Sequence, residues 1–483
     1  MSEGLKDARR ALAGRPAWLV GGAVRDELLG RSTADVDIVV EGEVASAARA
    51  VADAGPPAAC FELSGEFGAW RIVARDGSWQ VDLEPLRADT IERDLALRDF
   101  TVNAIAEPIA GGARIDPLGG AEDLRAGRLR AAGPGAFEAD PLRVLRLVRL
   151  AVELGLEADA ETVRLAEASA AGLPGVSGER VLVELRRVIA SERPRAGIEL
   201  MSRLGALGAV LPEIEALRGV EQSAYHHADV YGHTLEVLDR AVELTATAGG
   251  GSEGEAAPAI GAERPRVAAL LAEPLADEMT RGQALRWGAL LHDAAKPLTR
   301  SVRPQDGRVT FIGHDALGAE LAREVLGRLR SSERLRAHVA GLVRHHLRLG
   351  FLVHEPQPLD RRTLYRYLRE CAPVQADVTL LSVADRLATR GRRAGEAIDA
   401  HLRLAAAVMD DALRWHEQPA PAPLLRGDEL GSELGLAPGP ALGRLLEELA
   451  EARFAGEIAD REQALSYARR ISGGGGAAPA EAG

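Results

Sequence analysis

The chain has 483 residues, a formal charge of −13 and a pI near 5.5. Its 46% apolar and 27% charged content is that of a globular protein, which excludes a fibrous or disordered chain. The acidic balance argues against a uniformly basic nucleic-acid binder, and Lys6 and Lys296 are the only lysines, so the positive charge is almost all arginine.

At roughly 150 residues per domain the length predicts about three domains. Two cysteines, Cys60 and Cys371, cannot make a disulfide framework, and a reducing compartment is expected. The N-terminal stretch is charged and lacks the apolar core of a signal peptide. No apolar run approaches the ~18 residues of a membrane span. A soluble, cytoplasmic protein without membrane contact is expected.

Residues 1–135 read as mixed α/β. Strand-like Ala17–Val20, Val36–Val40, Arg71–Ala74 and Trp79–Leu83 alternate with helix-like Val24–Leu29 and Val44–Ala54. Gly42, Gly55-Pro56 and Asp76-Gly77 supply turn signals between them. From about residue 136 helical periodicity takes over, with Asp140–Leu154, Asp159–Ala168 and Gly178–Ala190 each apolar at three- and four-residue spacing. The predicted organisation is an α/β head (1–135), a helical neck (136–200), an all-α body (201–417) and a helical C-terminal segment (424–472). Residues 245–264 read as a low-complexity, flexible insertion, 418–423 as a Pro/Ala linker and 473–483 as a disordered tail.

The first chemical feature is Gly21-Gly22-Ala23-Val24-Arg25-Asp26 followed by Asp35-Val36-Asp37. Side chains alternate along a strand, so Asp35 and Asp37 point the same way. Two carboxylates facing one spot repel each other unless a cation sits there. Mg²⁺ takes oxygen ligands and keeps positions open for phosphate. A two-metal centre can then activate a hydroxyl and steady a pyrophosphate leaving group. Asp82 can add a third carboxylate from a neighbouring strand. Gly21 and Gly22 let the backbone approach a ligand closely, the helix start near Val24 attracts anions, and Arg25 offers a cation to a triphosphate.

These residues resemble the signature of class II tRNA nucleotidyltransferases and bacterial poly(A) polymerases, within the polymerase-β-like superfamily. The resemblance continues through Arg98-Asp99-Phe100-Thr101-Val102-Asn103-Ala104, Asp116-Pro117-Leu118-Gly119-Gly120, Asp140-Pro141-Leu142-Arg143 and Ser177-Gly178-Glu179-Arg180 with Glu184-Leu185. It implies that Asp35 and Asp37 hold the catalytic Mg²⁺ and that Gly21, Gly22 and Arg25 hold the triphosphate. Arg98, Asp99 and Asn103 would meet the sugar and phosphates, although Asp99 or Asn103 can equally cap the following helix. The implied activity is addition of C and A to tRNA 3′ ends from CTP and ATP. Poly(A) synthesis, or addition of CC or A alone, stands as the alternative.

Asp140 and Arg143 are three apart on a predicted helix and so share a face. The acid accepts from an exocyclic amine while the guanidinium donates to ring nitrogen and carbonyl, a match for cytosine or, after a small rotation, adenine. Uracil and guanine place acceptors where those amines sit. In the resembled family this helix acts as a protein template. Two departures stand out: Ala139 occupies the place of a glutamate that precedes the Asp in the family, and Leu97 that of an arginine. Arg146 and Arg149 extend an arginine row from Arg143.

Histidine is scarce, yet most of it falls in 226–354. The order His233, His292-Asp293, His314, His345-His346 and Asp385 resembles the HD superfamily of metal-dependent phosphohydrolases. Imidazole and carboxylate together suit a divalent transition metal, which lowers the pKa of bound water. His345 and His346 compete for one ligand role, and His345 is taken as the ligand. His338 and His354 read as surface residues. A phosphohydrolase with an RNA-binding head is the second class of function these residues allow. Residues 424–470 resemble the family's tRNA-binding segment. Residues 321–370 hold eleven arginines against five acids, which predicts a confined, salt-sensitive RNA track on an otherwise repelling surface.

Overall fold

The computed structural model describes residues 3–32, 35–64, 68–222, 228–251, 253–390, 394–418 and 422–473. They form two compact units, Met1–Pro212 and Glu213–Gly483.

The first unit is built on a six-stranded sheet of β1 (Ala17–Val20), β2 (Asp35–Val40), β3 (Ala58–Ser64), β4 (Ala69–Ala74), β5 (Gln80–Pro85) and β6 (Ala106–Pro108). The strand order is β3-β4-β5-β2-β1-β6, with β2 and β5 parallel and the other neighbours antiparallel. Helices α1 (Glu3–Ala11), α2 (Gly22–Leu28), α3 (Val44–Asp53) and α4 (Ile91–Leu95) accompany it.

Alternation decides what each face carries. Val36, Ile38 and Val40 of β2 join Val81 and Leu83 of β5 in a core closed by Leu5 and Ala8 of α1 and Ala47, Ala48 and Val51 of α3. Burying such a side chain is worth about 1.5–3 kcal/mol, so the register of β2 is strongly fixed and Asp35, Asp37 and Val39 must face the other way. There a smaller core of Val20, Val39, Ile91, Leu95, Ala104 and Ala106 covers only part of the sheet. The carboxylates are left on the open remainder.

The connection to the neck runs through α5 (Gly120–Arg125) and α6 (Ala136–Ala139). Gly120 is required by a close approach: a Cβ there would lie 1.9 Å from the Thr101 carbonyl oxygen. Helices α7 (Arg143–Leu154), α8 (Ala160–Ser169) and α9 (Gly178–Ala190) follow, α7 packing on α9 and on Pro194–Arg203. Helix α7 begins three residues later than the periodicity predicts. Asp140 precedes Pro141, which disfavours the helical backbone, and it adopts an extended conformation (φ −156°, ψ 103°).

The second unit is helical. Val230–Ala248, Arg281–Leu291, His314–Arg328, Glu333–His345, Gln375–Ala388 and Ala394–Glu417 make its body. Gly427–Leu434, Pro440–Phe454 and Arg461–Gly473 gather around a separate core of Leu430, Leu442, Leu445, Leu449, Ala464 and Ala468. The expected flexible insertion at 245–264 is corrected. Its first residues finish the helix Val230–Ala248, and Ala257–Ile260 packs on Ala394–Glu417 with Ala256, Ala259 and Ile260 buried. Alanine is small enough for close helix packing even in a sequence of low complexity. Residues 419–421 of the expected linker, and 474–483 of the expected tail, lie outside the described residues.

Candidate active site and metal centre

Asp35 and Asp37 stand on the open face of β2, Asp35 exposed and Asp37 partly so. Parallel pairing sets Asp82 of β5 directly beside Asp37. Arg71 of β4 closes on Asp82 as a fork, Nε and Nη2 each donating at 2.7 Å to one carboxylate oxygen. Desolvation, followed by the charges of Asp82 and Glu84, raises the Asp37 pKa to about 6. An all-oxygen donor set held against its own repulsion fits Mg²⁺, and the residues that would hold it are Asp35 and Asp37.

Gly21 sits at the end of β1 with φ +68°, in the left-handed region that favours glycine. A Cβ there would meet Arg98 Nη1 at 3.3 Å and Asp37 Oδ2 at 3.6 Å. Gly21 therefore keeps clear the space between the Asp37 carboxylate and a guanidinium. Gly22 opens α2 beside the Arg25 guanidinium, whose Nη2 a Cβ would meet at 3.6 Å.

Arg25, expected to face a triphosphate, is buried and turned inward. Its Nη1 donates to Asn103 Oδ1 at 2.7 Å, and its Nε and Nη2 donate to Asp26 Oδ1. Asn103 passes the bracing on by donating to Asp99 Oδ1 at 3.0 Å, an oxygen that also accepts from the Phe100 N–H. The other Asp99 oxygen accepts from Arg146 Nε at 2.8 Å. Burial opposes the Asp99 charge, but Arg146, Asn103 and the Phe100 N–H outweigh it and hold the pKa well below the carboxylate range. Arg146 also lies 3.6 Å from Glu184, which grips the buried Arg149. The sequence's nucleotide-binding set thus divides: Arg98 lies beside Asp37, while Arg25, Asn103, Asp99 and Arg146 hold one another in place.

The proposed base-reading pair is assembled differently from the expectation. Asp140 lies before α7, not on it, and so does not share a helix face with Arg143. Its Oδ1 accepts from the Leu142 N–H at 3.1 Å, and its Oδ2 accepts from Arg180. Arg143 donates to the carbonyls of Leu97, Arg98 and Ala136. Main-chain oxygens thus brace the arginine. Arg180 was visible in the Ser177–Arg180 block but carried no role there. Arg71 gave no sequence signal beyond its strand.

In the second unit, His292 and Asp293 follow the helix Arg281–Leu291 and are 0% and 1% exposed. Asp293 lies 3.1 Å from His292, 3.4 Å from His314, 3.7 Å from His233 and 4.0 Å from His346. His233 is 3.0 Å from Asp385. The ring Nδ1 atoms of His292, His314 and His346 each sit 2.6–2.8 Å from a carbonyl three residues upstream. That bond fixes the proton on Nδ1 and turns Nε2 inward as a lone-pair donor. His314 Nε2 and His346 Nε2 then face each other at 3.3 Å, and His292 Nε2 lies buried 3.1 Å from the Asp293 carboxylate. Lone pairs opposed in this way fit a shared divalent cation.

His346, not His345, belongs to the cluster. Helix geometry turns adjacent side chains about 100° apart, so only one of the two can face inward. His345 lies instead near Glu370, Arg348 and Arg344. Burial, then the neighbouring His292, pushes the His346 pKa down to about 4. Burial opposes protonation of His292, yet the Asp293 carboxylate prevails and raises its pKa. His338 is also corrected: it is 7% exposed, lies 3.6 Å from Asp377, and burial lowers its pKa to about 4. His226 and His227 lie outside the described residues. A cavity of about 570 Å³ opens beside His314, with Lys296, Arg344, Arg348, Phe311 and Phe351 on its wall.

The expected RNA track is largely neutralised. Nine of the eleven arginines in 321–370 lie within 4 Å of a carboxylate oxygen.

Comparison with known proteins gives the chain's family. Residues 17–130 match the family described as the poly A polymerase head domain, and 230–390 match the HD domain. Residues 155–217 match "Probable RNA and SrmB- binding site of polymerase A". The A-adding tRNA nucleotidyltransferase of Deinococcus radiodurans is 36% identical, covering 94% of this chain and 95% of that protein. The CC-adding tRNA nucleotidyltransferase of Thermus thermophilus is 34% identical, covering 95% and 94%. A CCA-adding enzyme in its apo form shares the fold at a TM-score of 0.62 and 19% identity, over 97% of this chain and 93% of that one. The chain belongs to the tRNA nucleotidyltransferase and poly(A) polymerase family and carries an HD domain.

Proposed function

We propose that this enzyme adds C and A to tRNA 3′ ends from CTP and ATP. The observation that carries the reading is the Asp35/Asp37 pair set beside Gly21 and Arg98 on the open face of the head sheet. Asp35 and Asp37 would hold Mg²⁺, which would supply positive charge to the reacting phosphate and acidify the attacking hydroxyl. In the step itself the acceptor's ribose oxygen bonds to the α-phosphorus. The bond from that phosphorus to its bridging oxygen breaks, pyrophosphate leaves, and the hydroxyl proton passes to water. Arg98, beside Gly21 and Asp37, binds the triphosphate in this reading, and the Arg25–Asn103–Asp99–Arg146 series braces that block. Asp140 accepts from the exocyclic amine of C or A. Arg143, with three N–H bonds going to carbonyls, keeps two of its five donors for the base edge.

Purified protein given tRNA lacking its 3′ end, with CTP, ATP or both, tests this when the products are sequenced. CCA ends are expected, and none from Asp35→Ala with Asp37→Ala. A long A run marks a poly(A) polymerase. Ends stopping at CC, or only A added to a CC end, would align the chain with its Thermus or Deinococcus relative.

For the second unit the reading is a metal-dependent phosphohydrolase whose metal would be held by His233, His292, Asp293, His314, His346 and Asp385. A metal bound there would lower the pKa of water for attack on a phosphoester. Phosphate release that requires added divalent metal and is lost in His292→Ala supports it; incorporation of nucleotides is expected to survive that change. The segment 424–472 is assigned to tRNA contact. No described helix is long and apolar enough to cross a membrane, and we place the enzyme with its tRNA in the cytoplasm.

A further inference from the structure

One row of side chains crosses the open face of the head sheet from the catalytic acid outward. Asp37 of β2 pairs with Asp82 of β5, Asp82 with Arg71 of β4, and Arg71 with Phe61 of β3, the edge strand. Directly paired residues present their side chains on the same face, so these four form a strip. Phe61 is 45% exposed at its outer end. The large core of this unit lies on the opposite face, so Phe61 fills no core.

The reaction gives the strip an occupant. In an in-line displacement the attacking and leaving oxygens lie on opposite sides of the phosphorus. Gly21 and Arg98, the residues set to hold the triphosphate, flank Asp37 on its β1 side. The leaving pyrophosphate is therefore drawn to that side. The attacking hydroxyl must come from the other side, over β5, β4 and β3, where Arg71 and Phe61 stand. We propose that Phe61 and Arg71 form the subsite for the last nucleotide of the RNA acceptor. Phe61 stacks on its base. Arg71, while holding Asp82 by its fork, contributes positive charge toward its phosphate. A phenyl ring accepts any base face, so the subsite tolerates the change of terminal base as the end grows.

This inference rests on the nucleotidyl-transfer reading, and its test separates the two. Steady-state incorporation is measured with tRNA and nucleotide varied independently, for the wild-type chain, Phe61→Ala and Phe61→Trp. Loss of one base–aromatic stack corresponds to roughly five- to a hundred-fold. Phe61→Ala is expected to raise KM for tRNA by that amount, to leave KM for CTP and ATP within about two-fold, and to be rescued by Phe61→Trp. A 2-aminopurine at the acceptor's last position is expected to lose fluorescence on binding the wild-type chain, and to lose much less with Phe61→Ala. Wild-type incorporation with unchanged tRNA KM in Phe61→Ala would overturn the subsite alone. An equal rise in nucleotide KM would do the same. No incorporation by the wild-type chain would overturn the transfer reading, and the subsite with it.

Discussion

Asp37 is held at a cost that the metal-free protein should reveal. Its pKa is raised from an ordinary 3.8 to about 6 by desolvation, Asp82 and Glu84. Below pH ~4 the carboxyl is protonated in both folded and unfolded chains and contributes nothing. Between about 4 and 6 the folded chain keeps a proton that the unfolded chain has released, so stability falls as pH rises. Above about 6 the full penalty applies. A shift of this size corresponds to about 3 kcal/mol at most, at 1.36 kcal/mol per unit. Asp37 is only partly buried, so solvent screening leaves about 1–2 kcal/mol.

Asp37→Asn removes that penalty. In EDTA at pH 8 the variant head is expected to be more stable than wild type by about 1–2 kcal/mol, and equal to it near pH 4. Denaturant unfolding followed on Trp18, Trp70 and Trp79, with Trp287 and Trp415 replaced by Phe, reads the first unit separately from the second. The same variant should lose nucleotide incorporation. Added Mg²⁺ should stabilise wild type and not Asp37→Asn. An identical pH slope in the two proteins, or a variant less stable at pH 8, would refute the claim that repulsion and desolvation strain this carboxylate.

Three further changes test the remaining geometry. His346→Ala should abolish tight divalent-metal retention by the full chain, measured by elemental analysis after dialysis, while His345→Ala retains it. Glu184→Ala removes a carboxylate that is 4% exposed from Arg149, itself 5% exposed. Breaking a buried pair of this kind costs about 3 kcal/mol, and denaturant unfolding of the first unit should show a loss of that order. Arg180→Ala frees Asp140 from its guanidinium partner, and sequencing of products made with all four nucleotides should show U and G incorporated more often.

The facing of the carboxylate pair was readable because two periodicities agree. Apolar Val36, Ile38 and Val40 demand a core, and Asp35 and Asp37 fall on the alternate positions, so sheet register alone aims them outward. The HD set was readable because adjacent His292 and Asp293 in an apolar stretch need a partner. The choice between His345 and His346 was not readable. It depends on the rotation of the helix Glu333–His345 against its neighbours, which local sequence does not specify to one residue. The partners of Arg25 were not readable for a related reason. A guanidinium near a glycine turn looks available to phosphate until Asn103, 78 residues away, is brought within 2.7 Å of it. Asp140 was placed on a helix because apolar spacing continues through it, whereas Pro141 sets its backbone.

The arginine-rich window shows the same limit for charge. Counted along the chain, residues 321–370 carry eleven arginines and five acids. In space the partners are imported: Glu213 for Arg328, Asp315 for Arg344, Asp411 for Arg361, and Glu447, Glu448, Glu451 and Glu457 for Arg369, Arg362 and Arg366. Most of these last acids belong to the helix Pro440–Phe454, so the pairs fasten the C-terminal segment to the helix Arg361–Glu370. The row from Arg143 is likewise internal, Arg146 on Asp99 and Arg149 on Glu184. Exposed pairs are worth about 0–1 kcal/mol each, so a phosphate can displace a carboxylate at little cost. It must still approach a surface whose acids remain nearby. Within this window the arginine count therefore overstates the charge free to meet a phosphate, and any counterion release there is smaller than the count implies.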